Sequence, residues 1–185
     1  MKRLSVSVMA LAVLVVPAPG HSKSVACLSQ SAAVAHAPFA KYPAKFAALP
    51  WAAPDVRNSE AHLYRSVLRR DGAGPPDFAG AYRLVQIGCG AGSACPAFVN
   101  RKTGRVTFAR ELRVVTWMPH DLSPNDLPAP ERLTYRANSR LLVVLGVRNE
   151  NVRTSGLTLF DWRGDRLHLI KFVPQSRLCT RESSR

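Results

Sequence analysis

Apolar positions along the chain change period twice. Residues 60–70 repeat Ala61, Tyr64, Val67 and Leu68 at helical spacing, which predicts one amphipathic helix with Ser59 as its cap. Arg65, Arg69 and Arg70 face outward, the last two at the helix C-terminus, and Asp71-Gly72 ends it. From residue 78 the pattern becomes that of strands: 78–87, 97–100, 105–108, 112–117, 133–136, 140–147, 157–162 and 167–173. The segment 140–147 is almost wholly apolar and predicts a central strand buried on both faces. In 157–162 the leucines Leu157 and Leu159 fall on one face, Phe160 and Trp162 on the other. Arg101-Lys102-Thr103-Gly104 and Arg163-Gly164-Asp165-Arg166 read as short hairpin loops. The expected fold is α+β: an antiparallel meander of about seven strands with one packed N-terminal helix.

Ahead of the helix the chain is rich in Ala and Pro, too broken by proline for a long helix. Phe39, Tyr42, Phe46 and Trp51 punctuate it, which predicts an extended arm laid on the body. The organisation expected is therefore a leader over 1–20, an arm over 21–57 and a single domain over 58–185. The leader reading rests on Lys2-Arg3, the short apolar run Leu4 to Val16 and a small-residue exit at Ala18-Pro19-Gly20. That run is shorter than the roughly 20 residues that span a bilayer. A second exit, Ser24-Val25-Ala26 before Cys27, gives an alternative in which Cys27 carries a lipid, although Ser24 stands where such a site prefers Leu. The expected location is periplasmic or secreted, with no transmembrane segment in the mature chain.

The chain has 185 residues and four cysteines. In an exported protein of this size an even count argues for disulfides, and four cysteines allow three pairings. The preferred pairs are Cys89–Cys95, which closes a Gly-rich loop, and Cys27–Cys179, which ties the arm to the C-terminal tail. A metal site is not expected: the spacing of Cys89 and Cys95 is unusual for zinc and no His pair accompanies it. Gly88-Cys89-Gly90-Ala91-Gly92 follows a strand but leads into another strand, not into the helix a dinucleotide site needs. No cofactor is expected.

Several short motifs occur in order: Phe78-Ala79-Gly80-Ala81-Tyr82, Gly88-Cys89-Gly90 with Cys95, Thr103-Gly104-Arg105-Val106 and Ser139-Arg140-Leu141-Leu142. Over about residues 60–173 the chain resembles a family of small exported bacterial proteins, still uncharacterised. That family has a Phe-Ala-Gly-His-Tyr motif, a Gly-Cys-Gly turn and a Thr-Gly hairpin. The resemblance implies topology and compartment and carries no activity. Ala81 departs from it, standing in place of the histidine, and the spacing of the two cysteines is slightly longer.

Charge adds the one functional clue. The formal net charge is +14, and 20 of the 26 basic residues are arginine. Arg65, Arg69, Arg70, Arg101, Lys102 and Arg105 fall on the helix and first hairpin and form the expected binding face. Outside the cytoplasm the polyanions such a face attracts are an anionic glycan, a lipid headgroup or an acidic protein of the envelope. Nucleic acid is not expected, because no binding motif accompanies the charge. The leading reading is a non-enzymatic exported binding module, of which an inhibitor or immunity-type protein is one form. The alternative is a hydrolase of an envelope polymer using the loop around His120, Asp121 and Asp126. The acids Asp161, Asp165, Glu111, Glu131 and Glu150 show no spacing that marks a catalytic pair, and no Gly-x-Ser-x-Gly elbow occurs.

Overall fold

The computed structural model describes residues 25–27, 36–90, 92–116 and 132–181; for 25–27, 59 and 179–181 it describes the backbone alone. The main sheet is antiparallel and eight-stranded. Its path runs through β2 (Tyr82–Gly90), β3 (Ser93–Asn100), β5 (Val115–Thr116), β7 (Leu141–Arg148), β8 (Gly156–Arg163) and β9 (Arg166–Pro174). Two short strands pair beside this path, β4 (Val106–Thr107) on β3 and β6 (Leu133–Thr134) on β7. A separate two-stranded sheet joins β1 (Val25–Cys27) to β10 (Cys179–Arg181).

The main sheet folds over on itself. In a flat sheet β3 and β8 would lie three strand spacings apart, about 14 Å. Instead Phe98 of β3 stacks on Trp162 of β8 with ring centroids 4.3 Å apart. Between the halves lies the central core, with Phe78, Leu84, Phe98, Leu112, Leu142, Val144, Phe160 and Trp162 buried together. Strand alternation sends the neighbouring residues outward. Val85, Ile87, Ala97 and Val99 meet Ala61 and Leu68 of the helices on one outer face. Leu141, Val143, Leu145, Leu157 and Leu159 meet Phe39 on the other. β7 is thus covered on both sides, as its unbroken apolar run requires. The division of Leu157 and Leu159 from Phe160 and Trp162 also holds.

The helical segment is two pieces, α1 (Ser59–Leu63) and α2 (Arg65–Asp71). The break is at Tyr64, which leaves helical geometry while its ring packs on Phe108 at 5.8 Å between centroids. The cap is Asn58, not Ser59: its side chain accepts from the Ala61 N–H at 2.8 Å. The first long strand begins at Tyr82, not at residue 78. Ala79 and Gly80 both have positive φ, so residues 78–82 make a tight turn closed by Tyr82 N–H to Phe78 O at 2.9 Å. In place of the single strand that the pattern over 112–117 predicts, a 3-10 turn, Arg110–Leu112, precedes the short β5, and Trp117 lies outside the described residues. A last helical turn, α3 (Gln175–Leu178), follows β9.

The chain over 36–57 runs along the body, tied to it by backbone hydrogen bonds. Ala44 N–H donates to Asn138 O, Ala47 N–H to Gly80 O, Ala52 N–H to Arg101 O and Asp55 N–H to Gly104 O. Glycine is required at two of these contacts. Gly80 and Gly104 have φ of +72° and +79°, and a Cβ on either would collide with the carbonyl of Lys45 or Ala53. Phe39 is buried at 3% exposure, whereas Phe46 stays 63% exposed. The buried Ser139 hydroxyl donates to Phe39 O and lies 3.0 Å from Tyr42 O, fastening the arm to the start of β7.

Candidate functional site

The six basic residues expected to form one face separate into three environments. Arg65 and Arg69 are one helical turn apart on α2 and exposed, and neither has a carboxylate partner among the described residues. Lys102, in the turn after β3, is exposed as well. Arg70 is exposed but forms a fork with Asp71 at 2.7 and 2.8 Å. Arg105 points to the β8–β9 tip, 3.5 Å from Asp165.

Arg101 does not belong to the face. It is buried at 3% exposure, with its guanidinium donating to the carbonyls of Ala52 and Ala73. Burial first, and the charge of Arg83 second, lower its pKa. Hairpin loops usually face water; here the first and last loop residues, Arg101 and Gly104, are covered because residues 52–55 of the arm lie across them, while Lys102 stays exposed. Arg101 therefore pins the arm and brings its turn to the C-terminal end of α2.

The Cys89–Cys95 disulfide is present, with Cα atoms 5.8 Å apart, close to the β2–β3 turn. It borders a cleft of about 520 Å³ with Tyr64, Phe108 and Arg113. Cys27 and Cys179 are Cα partners in the β1–β10 register, the backbone placement their expected link needs. Their side chains lie outside the described residues, as does the loop carrying His120, Asp121 and Asp126. Among the described residues no group of three His, Cys, Asp or Glu side chains is placed to hold a metal ion. Nor is any helix among them long and apolar enough to cross a membrane.

A second cleft gathers polar groups that the sequence reading does not single out. A cleft of about 610 Å³ opens between the 78–82 turn and the β8–β9 tip, lined by Ala79, Tyr82, Arg140, Trp162, Arg163 and Gly164. At its edge Asp161 is buried at 1% exposure on a strand otherwise apolar around it. Two arginines hold it: Arg140 Nε at 2.9 Å and Arg163 Nε at 2.5 Å. Burial alone would raise this carboxyl's pKa, but the hydrogen bonds from Arg140 and then Arg163 outweigh it and the net shift is downward. Arg140 also donates from Nη1 to Pro43 O at 3.0 Å, so the arm borders the same site. Beside it Tyr82 donates to Asp165 at 2.5 Å and accepts from Asn100 Nδ2 at 3.3 Å. Its phenol is pushed up to about 12, by burial first and by the hydrogen bond to Asp165 second.

The sequence held one signal of this site. An aspartate inside Leu157-Thr158-Leu159-Phe160-Asp161-Trp162 is a charge on a buried strand and needs a cationic partner. Which arginine, and that there are two, depends on β7 pairing with β8, which sets Leu141 beside Asp161.

No protein-family model, no curated protein and no solved structure matches this chain.

Proposed function

We propose that the protein is an exported, non-enzymatic binding module whose basic surface recognises an anionic envelope component or an acidic protein partner, in the manner of an inhibitor or immunity protein. One observation carries this reading. Every aspartate among the described residues is paired with an arginine, at Asp55, Asp71, Asp77, Asp161 and Asp165. The aspartates are thus engaged by arginines, while Arg65, Arg69 and Lys102 face solvent with no carboxylate partner among the described residues, on a chain of net charge +14. Such a surface draws polyanions by long-range attraction that salt screens. The disulfide supports an oxidising compartment, and the leader-like N-terminus supports export.

The test is binding of the oxidised protein to anionic vesicles, an acidic polysaccharide and acidic envelope proteins at physiological salt. Capture that weakens as salt rises, and that Arg65→Glu with Arg69→Glu abolishes, is the expected result. Binding indifferent to both changes would reject the reading.

A further inference from the structure

The geometry points to a small-oxyanion site in the cleft between the 78–82 turn and the β8–β9 tip. It would take a phosphate or carboxylate group, with Arg163 as the principal ligand and Arg140 beside it. This site is separate from the α2 arginines and does not rest on the surface reading above.

Charge balance is the first reason. Asp161 faces two guanidiniums with a single negative charge. Asp165, the other acid at this end, is already engaged by Tyr82 and Arg105. The cleft lining therefore keeps an excess positive charge that no carboxylate among the described residues cancels. Donor inventory is the second. Arg140 directs Nε and Nη2 to Asp161 and Nη1 to Pro43 O. Arg163 uses Nε alone, leaving Nη1 and Nη2 without a partner among the described residues. The edge formed by those two nitrogens matches two oxygens of a carboxylate or phosphate.

Anchoring and room complete the argument. A guanidinium held at Nε by a buried carboxylate has already lost much of its rotamer freedom, so less ordering cost remains when a ligand binds. The Arg163 side chain is nevertheless 64% exposed, so its free edge reaches solvent. The cleft, about 610 Å³, holds more than a single ion, and the space beside Gly164 is open. Ala79 and the edge of Trp162 offer an apolar wall to whatever carries the anionic group.

Titration of the folded, oxidised protein with inorganic phosphate and separately with acetate, followed by NMR at low ionic strength, tests the site. Saturable shifts are expected at the Gly164 amide, the Arg163 Nε–H and the Trp162 indole N–H. Arg163→Gln should weaken the affinity by about tenfold, the loss of one charge-assisted contact. Tighter phosphate binding marks a phosphoryl ligand and tighter acetate binding a carboxyl ligand; both support the site. Gly164→Asp is the second variant. It leaves the Asp161 anchor intact, sets a competing carboxylate on the rim at a position Asp tolerates, and should abolish saturation. Shifts that stay linear with both anions, or an affinity unchanged in both variants, would overturn the proposal. Arg65→Glu with Arg69→Glu should leave this binding intact, so its failure and that of the surface reading are separable.

Discussion

At the β2–β3 tip Cys89 and Cys95 are bonded across six positions of sequence, beside a turn with Gly90 and Gly92 at positive φ. At the β8–β9 tip Gly164 and Asp165 make a two-residue turn, both at positive φ, with no covalent link. The second tip is instead held from outside. Tyr82 and Arg105 reach Asp165 from the other half of the folded sheet, and Arg140 of the neighbouring strand joins the tip's own Arg163 on Asp161. A local crosslink needs nothing from the rest of the molecule. A tertiary clamp leaves polar groups converging in a concave place, and there the unused donors of Arg163 accumulate.

Removing the carboxylate at the centre of the clamp should have the largest effect. Asp161→Asn leaves two guanidiniums facing each other and should cost about 2–3 kcal/mol, below the fully buried case because both arginines reach solvent. Denaturant unfolding measures it; a loss well under 1 kcal/mol would mean that the clamp does not organise this end. Next comes the staple. Cys89→Ser with Cys95→Ser should cost about 2 kcal/mol through the short loop it releases. The NMR signals of Trp162 and Gly164 should stay in place, and if they move with the disulfide the two tips are coupled after all.

A smaller effect sharpens the contrast through pH. The Tyr82 phenol is raised to about 12, whereas an unfolded tyrosine titrates near 10. The folded state therefore keeps a proton that the unfolded state releases. The resulting stability is complete below pH about 10 and drains away as pH rises towards about 12. Tyr82→Phe should cost about 1 kcal/mol at neutral pH and flatten that alkaline decline. An equally steep decline in the variant would assign it to other groups. The smallest effect belongs to α2, where Arg65→Glu with Arg69→Glu should change stability by less than about 0.5 kcal/mol, since both side chains are exposed and unpaired.

Much of the main sheet was readable along the chain, for reasons visible at single residues. β7 is apolar at nearly every position because both its faces are covered, and β8 separates its leucines from Phe160 and Trp162 because strand side chains alternate. The break at Tyr64 was not readable, since it depends on where Phe108 lies. The fate of Arg101 was equally hidden. Nothing within its own hairpin says that the arm will cross it.

What the amino-acid order determined by itself is local: the period of each segment, the turn residues, the short cysteine spacing and the sum of charges. These follow from backbone geometry and covalent proximity over a few residues. The tertiary structure decided which arginines meet distant acids and carbonyls, as Arg140 meets Asp161 and Arg105 meets Asp165, and that Arg140, Arg163 and Tyr82 border one cleft. Whether a guanidinium is a ligand or a strut depends on the acids and carbonyls brought to it, and those come from segments up to 97 positions distant, as Arg140 and Pro43 are.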